Sequence, residues 1–110
     1  MMKLINSSTL FETSKNASGY HVFVFVSDWC IDCHYLMTFM HHIEALYEAI
    51  NFYEVKRETL IDITKQYRVD GVPSFLVFKD GTLINHYIDK RRKTFIEIKD
   101  FLDNTLKVKG

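Results

Sequence analysis

The 110-residue sequence predicts a single α/β domain, in which a central mixed β-sheet is flanked by helices on both faces. Residues 22–26 and 74–78 are almost entirely apolar, which is typical of central strands covered on both faces. Between them, apolar residues recur at helical spacing. The pair Asp80-Gly81 is typical of a hairpin turn, so the last two strands are expected to pair antiparallel. Because a chain of this length holds one hydrophobic core, we expect one domain over residues 1–110.

The first three predicted elements precede the cysteines. Residues 3–5 are expected to form a short edge strand and residues 8–16 a helix, for which Thr9 and Glu12 have the spacing of a capping box. Residues 22–26 then form a strand in the middle of the sheet. This strand is expected to run parallel to its first neighbours, because helices connect them.

The middle of the chain predicts a long helix, a strand and a short helix. The long helix begins near Cys30 and ends near Ile50, because apolar residues recur through it at helical spacing. These residues are Leu36, Phe39, Met40, Ile43, Leu46, Tyr47 and Ile50. Residues 52–55 fit a second strand, and residues 60–67 fit a short helix.

The C-terminal part predicts a hairpin followed by an amphipathic helix. Residues 83–88 pair antiparallel with residues 74–78 across the turn. A basic run at residues 90–93 is interpreted as a solvated turn. Thr94 and Glu97 have capping-box spacing and open the last helix. Its inward face is expected to carry Phe95, Ile98, Phe101, Leu102 and Leu106.

Composition excludes several classes of protein. Hydrophobic residues make up 47% and aromatic residues 15% of the chain, which argues against disorder. Fourteen basic and fourteen acidic residues leave no basic footprint for nucleic acid or an anionic membrane. The longest apolar run, residues 22–26, is too short to cross a bilayer. Because three consecutive polar residues, at positions 6–8, stand where a signal peptide would stay apolar, we expect a cytoplasmic protein.

The two cysteines, Cys30 and Cys33, follow the first central strand and stand at the start of a predicted helix. A thiolate there faces the positive end of the helix dipole and unpaired backbone N–H groups, which favour the nucleophilic form. Cys30 is therefore the candidate nucleophile. Cys33, one turn further along, can reach back to close a disulfide with it.

Three other interpretations of the cysteine pair stay open. Structural zinc requires four ligands, and His34 and His41 would lie roughly 10.5 Å apart along one helix axis, so we expect no metal. Residues 30–34 also match the C-x-x-C-H motif for haem attachment, which normally follows export. The thiols could also be inert. In a reducing compartment, dithiol redox chemistry is the favoured interpretation.

The motifs together resemble those of the thioredoxin family. They are W-C-x-x-C at residues 29–33, G-V-P at residues 71–73 and F-L-V-F-K-D-G at residues 75–81. This combination is far more specific than C-x-x-C alone and extends over roughly residues 20–106. The active-site form is similar to W-C-x-D-C, with Ile31 where many relatives have proline. The resemblance implies the thioredoxin fold and a thiol-disulfide oxidoreductase.

The resemblance also implies a substrate-binding surface. Taken alone, Pro73 would be predicted to be a trans, strand-start proline. By resemblance the Val72–Pro73 bond is cis and lies against the disulfide, and the backbone N–H and C=O of Val72 bind an extended substrate segment. Gly71 precedes this pair. Trp29 is expected to be an exposed residue that contacts partners, and Ile88 lies in the corresponding loop after the last strand.

Two positions depart from the family pattern. Most thioredoxins have a buried aspartate six residues before the first cysteine, where this chain has Val24, and the accompanying lysine is replaced by Glu54. A carboxylate near the site could act as a base for Cys33. The candidate groups for proton transfer are therefore Glu54, Asp32 and His34.

The sequence thus predicts a cytoplasmic protein-disulfide reductase. Cys30 attacks a disulfide in a protein substrate and Cys33 resolves the mixed disulfide. A thioredoxin reductase is the expected electron donor, and the protein is expected to be a monomer. No small-molecule cofactor is required, because the Cys30–Cys33 disulfide carries the electrons. The alternative is a thioredoxin-like, redox-sensitive binding module that does not turn over.

Overall fold

A five-stranded mixed sheet forms the centre of the fold. In the computed structural model, which describes residues 2–109, the strands are β1 (Lys3–Ile5), β2 (Tyr20–Val26), β3 (Ile50–Lys56), β4 (Ser74–Lys79) and β5 (Thr82–Tyr87). Their order is β1-β3-β2-β4-β5. β3 pairs parallel with β1 and β2, whereas β4 runs antiparallel to β2 and β5. The mixed sheet predicted from the sequence is confirmed.

Helices cover both faces of the sheet. They are α1 (Ser8–Asn16), α2 (Ile31–Met37), α3 (Met40–Leu46), α4 (Ile61–Gln66) and α5 (Phe95–Lys109). One core lies between the sheet and α2, α3 and α5, and the other lies between the sheet and α1 and α4. Within residues 2–109, no helix has the length and apolar character that crossing a membrane requires.

β2 contributes to both cores because its side chains alternate between the faces of the sheet. Val22, Val24 and Val26 belong to the core that also contains Cys33. Phe23 and Phe25 belong to the opposite core. All five are buried, which explains why this segment is apolar at every position.

The single long helix predicted for residues 30–50 is wrong, because the chain forms two helices. α2 ends at Met37, and the Thr38 hydroxyl donates to the Tyr35 carbonyl (2.7 Å), a local bond that competes with the helical pattern. α3 ends at Leu46, which is exposed rather than on the apolar face. Ile50 begins β3 instead of ending a helix.

The capping predictions have opposite outcomes at the two ends of the chain. At α1, Ser7 has extended backbone angles and its hydroxyl accepts from the N–H three residues later (3.1 Å). The predicted Thr9–Glu12 box is wrong because both residues already lie inside the helix. At α5, the box is confirmed: the Glu97 N–H donates to the Thr94 hydroxyl (3.2 Å) and the Thr94 N–H donates to the Glu97 carboxylate (2.9 Å).

The basic run at residues 90–93 is not simply a solvated turn. Lys93 is fully buried, and its ammonium donates to the Asp89 carboxylate (2.6 Å), the Asp89 carbonyl (3.0 Å) and the Arg91 carbonyl (2.8 Å). A buried ammonium requires such acceptors, because an unpaired charge in the interior is strongly unfavourable. Lys93 therefore fixes the loop between β5 and α5.

The different burial of two leucines, which a single apolar stripe would not predict, can be tested by substitution. Leu36 is fully buried on α2, so Leu36→Ala should lower the free energy of unfolding by about 2–5 kcal/mol. Leu46 is 53% exposed, so Leu46→Ala should change it by no more than about 0.5 kcal/mol. Denaturant unfolding measures both values, and similar losses for the two variants would contradict the exposed position of Leu46 at the end of α3.

Candidate active site

Cys30 occupies the N-cap position of α2. Its sulfur accepts a hydrogen bond from the Cys33 N–H (3.1 Å), and its carbonyl accepts from the N–H groups of Cys33 and His34 (both 3.1 Å). The sulfur thus takes the position in which a serine or aspartate oxygen usually caps a helix. A backbone N–H directed at the sulfur stabilises negative charge there.

The two free thiols occupy different environments. Cys30 is partly exposed, whereas Cys33 is 2% exposed and packs in the core beneath α2. Burial raises the pKa of the Cys33 thiol to about 12, and the hydrogen bond with Cys30 acts in the same direction. Cys33 is therefore a neutral thiol at physiological pH, while Cys30 is the thiol that a substrate can reach.

The segment before β4 lies directly against Cys30. The Cys30 thiol donates to the Val72 carbonyl (3.7 Å), and the Val72–Pro73 peptide bond is cis. β4 is antiparallel to β2, so the start of β4 and the end of β2 meet at one edge of the sheet. This topology brings together two motifs that lie forty residues apart in the sequence.

Gly71 fits this segment against the loop between β5 and α5. A Cβ atom on Gly71 would lie 2.7 Å from the Asp89 carbonyl and 2.6 Å from the Lys90 side chain, distances too short for any other residue. The Ser74 hydroxyl donates to the Gly71 carbonyl (2.6 Å) and weakly to the Asp89 carbonyl (3.4 Å). Substitution of Gly71 would push these two segments apart.

Trp29 and Ile88, which are also predicted to bind substrate, lie in different surroundings. Trp29 and Ile31 flank Cys30 and are 81% and 78% exposed, so an apolar surface surrounds the nucleophile. Ile88 instead packs in the core beneath α1 and α4 and lines a groove with Tyr67 and Leu83. The structure therefore places Ile88 in a groove separate from the cavity beside Cys33.

A cavity of about 230 Å³ is lined in part by Cys33. It brings together two of the three candidates for proton transfer, Glu54 and His34. Its lining consists of Val26, Ser27, Asp28, Cys33, His34, Met37 and Glu54. Glu54 reaches it because β3 places this residue opposite Val24, on the same face of the sheet as Cys33. Val24 itself is buried and apolar.

Asp32 and His34 both have hydrogen-bond partners of their own. Asp32 accepts a hydrogen bond from the Arg92 guanidinium (2.9 Å) and is absent from the cavity lining. The His34 ring donates from Nε2 to the Asp28 carbonyl (2.9 Å). Of the three groups, Glu54 is thus the carboxylate that faces the Cys33 cavity.

Three residues that sequence reasoning missed support the active-site loop. The Glu58 carboxylate accepts from the Asp28 N–H (3.1 Å), and Lys56 pairs with the Asp28 carboxylate (3.2 Å). Arg92 reaches Asp32 from a loop sixty residues away. These partners are distant in sequence, so no local pattern identifies them. Among residues 2–109, no three His, Cys, Asp or Glu side chains converge to hold a metal ion.

The difference in exposure between the two thiols and the raised pKa of Cys33 predict which thiol iodoacetamide modifies. Iodoacetamide should modify the native reduced protein once, at Cys30, and Cys33 should stay unmodified up to pH 9 because its thiolate forms only near its raised pKa. Peptide mass spectrometry locates the adduct, and unfolded protein, which should be modified twice, is the control. Equal labelling of both cysteines in the native protein would contradict the assignment.

Comparison with known proteins agrees with this geometry. The thioredoxin family model matches residues 2–104. The chain is 29% identical over 89 residues to thioredoxin from Homo sapiens, covering 79% of this chain and 85% of the human protein. Its fold is similar to thioredoxin from Trypanosoma brucei brucei, with a TM-score of 0.83, 20% identity and coverage of 97% and 88% of the two chains.

A second similar structure is the oxidized form of mitochondrial thioredoxin 3 from Saccharomyces cerevisiae, with a TM-score of 0.82, 20% identity and 94% coverage of both chains. These similarities confirm the thioredoxin fold that the sequence predicts. The family match extends over almost the whole chain and includes Cys30 and Cys33 at the start of α2. This protein therefore belongs to the thioredoxin family and is a thiol-disulfide oxidoreductase.

Proposed function

We propose that this protein reduces disulfides in protein substrates, in the cytoplasm and as a monomer, and that a thioredoxin reductase returns it to the dithiol form. The observation that carries the proposal is the pairing of an accessible, N-capping Cys30 with a buried, protonated Cys33 behind it. The proposed direction of electron transfer, from this protein to its substrate, is that of the family. Thioredoxins generally act on disulfide-containing proteins and are reduced by thioredoxin reductase.

In the first step, the Cys30 thiolate attacks one sulfur of the substrate disulfide. A Cys30–substrate disulfide forms, the substrate S–S bond breaks, and the other substrate sulfur leaves as a thiolate. The Val72 carbonyl lies beside the Cys30 thiol, which supports the proposal that an extended substrate segment pairs with the Val72 backbone there. Trp29 and Ile31 would contact the apolar residues next to the substrate cysteine.

In the second step, Cys33 loses its proton and attacks the Cys30 sulfur. The Cys30–Cys33 disulfide forms, and the substrate leaves with its second sulfur as a thiolate. Because burial raises the pKa of the Cys33 thiol, this step needs a base. We assign that role to Glu54, which lines the same cavity of about 230 Å³. A cavity of this size has room for water that could relay the proton.

No small-molecule cofactor enters this scheme. The two electrons released to the substrate come from the two thiols, and the Cys30–Cys33 disulfide holds the oxidised state. Regeneration therefore requires an external dithiol, which in the cell would belong to the reductase.

The two cysteines should give different results in a turnover assay. With dithiothreitol as the electron source, the protein should catalyse the reduction of insulin disulfides, and Cys30→Ser should abolish this catalysis. Pre-reduced Cys33→Ser, mixed with insulin without dithiothreitol, should stop after the first step and accumulate a Cys30–insulin mixed disulfide. Turbidity measures turnover and non-reducing mass spectrometry detects the adduct. Binding of insulin without turnover by the wild type would instead support the binding-module alternative.

Glu54→Gln should slow the second step. We expect the decay of the mixed disulfide to slow by about tenfold or more, because a positioned general base contributes at least that factor, while attack by Cys30 keeps its rate. Rapid quenching and mass spectrometry follow both species. Glu48→Gln, which changes an exposed carboxylate beyond α3, is the matched control. An unchanged decay rate in Glu54→Gln would remove Glu54 from the mechanism.

A further inference from the structure

Arg92 contacts α2 at two points. Its Nε donates to the Asp32 carboxylate (2.9 Å), and its guanidinium lies 4.2 Å from the centre of the Tyr35 ring. Asp32 and Tyr35 are one turn apart on α2, so they present one face to the arginine. Stacking and hydrogen bonding together suit the planar guanidinium, and a lysine could not make both contacts in the same way.

The loop that carries Arg92 is fixed at several points. Lys93 is buried and bound to Asp89 and the Arg91 carbonyl. The same loop abuts Gly71, next to the segment that contacts Cys30. The backbone that carries Arg92 is thus fixed by contacts on both sides of the loop.

We propose that Arg92 tunes the reactivity and redox equilibrium of the Cys30–Cys33 pair by neutralising Asp32, the acidic residue between the two cysteines. Arg92 is a positioning residue and does not touch the sulfurs. The inference rests on the dithiol reaction described above and adds to it a counter-charge from outside the C-x-x-C motif.

The charge balance gives the direction of the effect. Reduction of the disulfide adds two electrons and one proton when Cys30 remains a thiolate and Cys33 a thiol. Asp32 lies two residues from this new negative charge and disfavours it by like-charge repulsion. Arg92 offsets the repulsion. Removal of Arg92 should therefore destabilise the reduced form and slow attack by Cys30.

The other charged groups near this end of α2 have different roles. The Asp28 carboxylate pairs with Lys56 (3.2 Å), and the Glu58 carboxylate accepts the Asp28 N–H (3.1 Å). Lys90 lies beside Gly71. Arg92 differs from these groups because its carboxylate partner lies inside the C-x-x-C motif.

The test combines Arg92→Gln, Asp32→Asn and the double variant, with Arg91→Gln as the matched control. Arg91 is on the same loop, but its guanidinium pairs with Asp89 (3.1 Å). One readout is the rate of Cys30 alkylation by iodoacetamide at pH 7. The other is the equilibrium between dithiol and disulfide in dithiothreitol buffers. Far-UV circular dichroism confirms that each variant is folded.

Arg92→Gln should slow alkylation and shift the equilibrium toward the disulfide, each by about two- to fivefold, the range that partly exposed ion pairs produce. For a two-electron couple this corresponds to a potential about 10–20 mV more negative. Asp32→Asn should change both values in the opposite direction. In the Asp32→Asn background, Arg92→Gln should lose most of its effect, and Arg91→Gln should match the wild type.

Two results would overturn the proposal. The first is wild-type values for Arg92→Gln. The second is an Arg92→Gln effect of the same size with and without the Asp32 carboxylate, because this would indicate a packing role through Tyr35. Should Arg92→Gln fail to fold, Arg92→Lys keeps the charge and should stay within twofold of the wild type, and a larger change would count against neutralisation. Alkylation requires no turnover, so failure of the proposed reductase activity would be distinguishable from failure of this inference.

Discussion

The position of β2 in the middle of the sheet is the constraint on which the active site depends. β2 pairs with β3 on one side and β4 on the other, and both of its faces are buried. Its last residue, Val26, is therefore held on all sides, and the short loop that follows delivers Cys30 to the start of α2. The antiparallel register of β2 and β4, in which Phe25 lies opposite Ser74, brings Pro73 to the same edge. Cys30 and the Val72–Pro73 segment meet because of this one strand.

Burial then separates the roles of two chemically identical side chains. Cys30 ends the loop and is reachable, and a backbone N–H is directed at its sulfur. Cys33 lies one turn deeper, where an apolar surrounding disfavours its thiolate. A buried thiol of this kind is inactive until a base removes its proton, which links the mechanism to the cavity that contains Glu54. The family's usual aspartate position is occupied here by apolar Val24, and the carboxylate that lines the cavity, Glu54, lies on the neighbouring strand.

Patterns confined to a few residues predicted much of this structure. The apolar run of β2, the C-x-x-C pair and the Thr94–Glu97 box are short-range features, and each lies where the sequence placed it. The break at Thr38 was missed because apolar periodicity continues through it to Leu46, and periodicity does not report a hydroxyl that bonds to its own helix.

Features that depend on distant partners could not be predicted. Nothing near Lys93 shows that it would be buried, because its acceptors converge only when the loop folds. The pairing of Arg92 with Asp32 likewise joins residues sixty positions apart. Glu54 was identified as a departure from the family, yet its place in the Cys33 cavity followed only from the sheet register.

A redox titration of the purified protein tests the central claim most directly. Trp29, which is 81% exposed beside Cys30, provides a fluorescence signal, thiol trapping provides a second one, and Cys30→Ser is the control. We predict a reversible two-electron transition at about −230 to −290 mV, as expected of a reductase of this family. A transition at about −120 to −180 mV would indicate an oxidant or isomerase, and the absence of a reversible transition would contradict the account altogether.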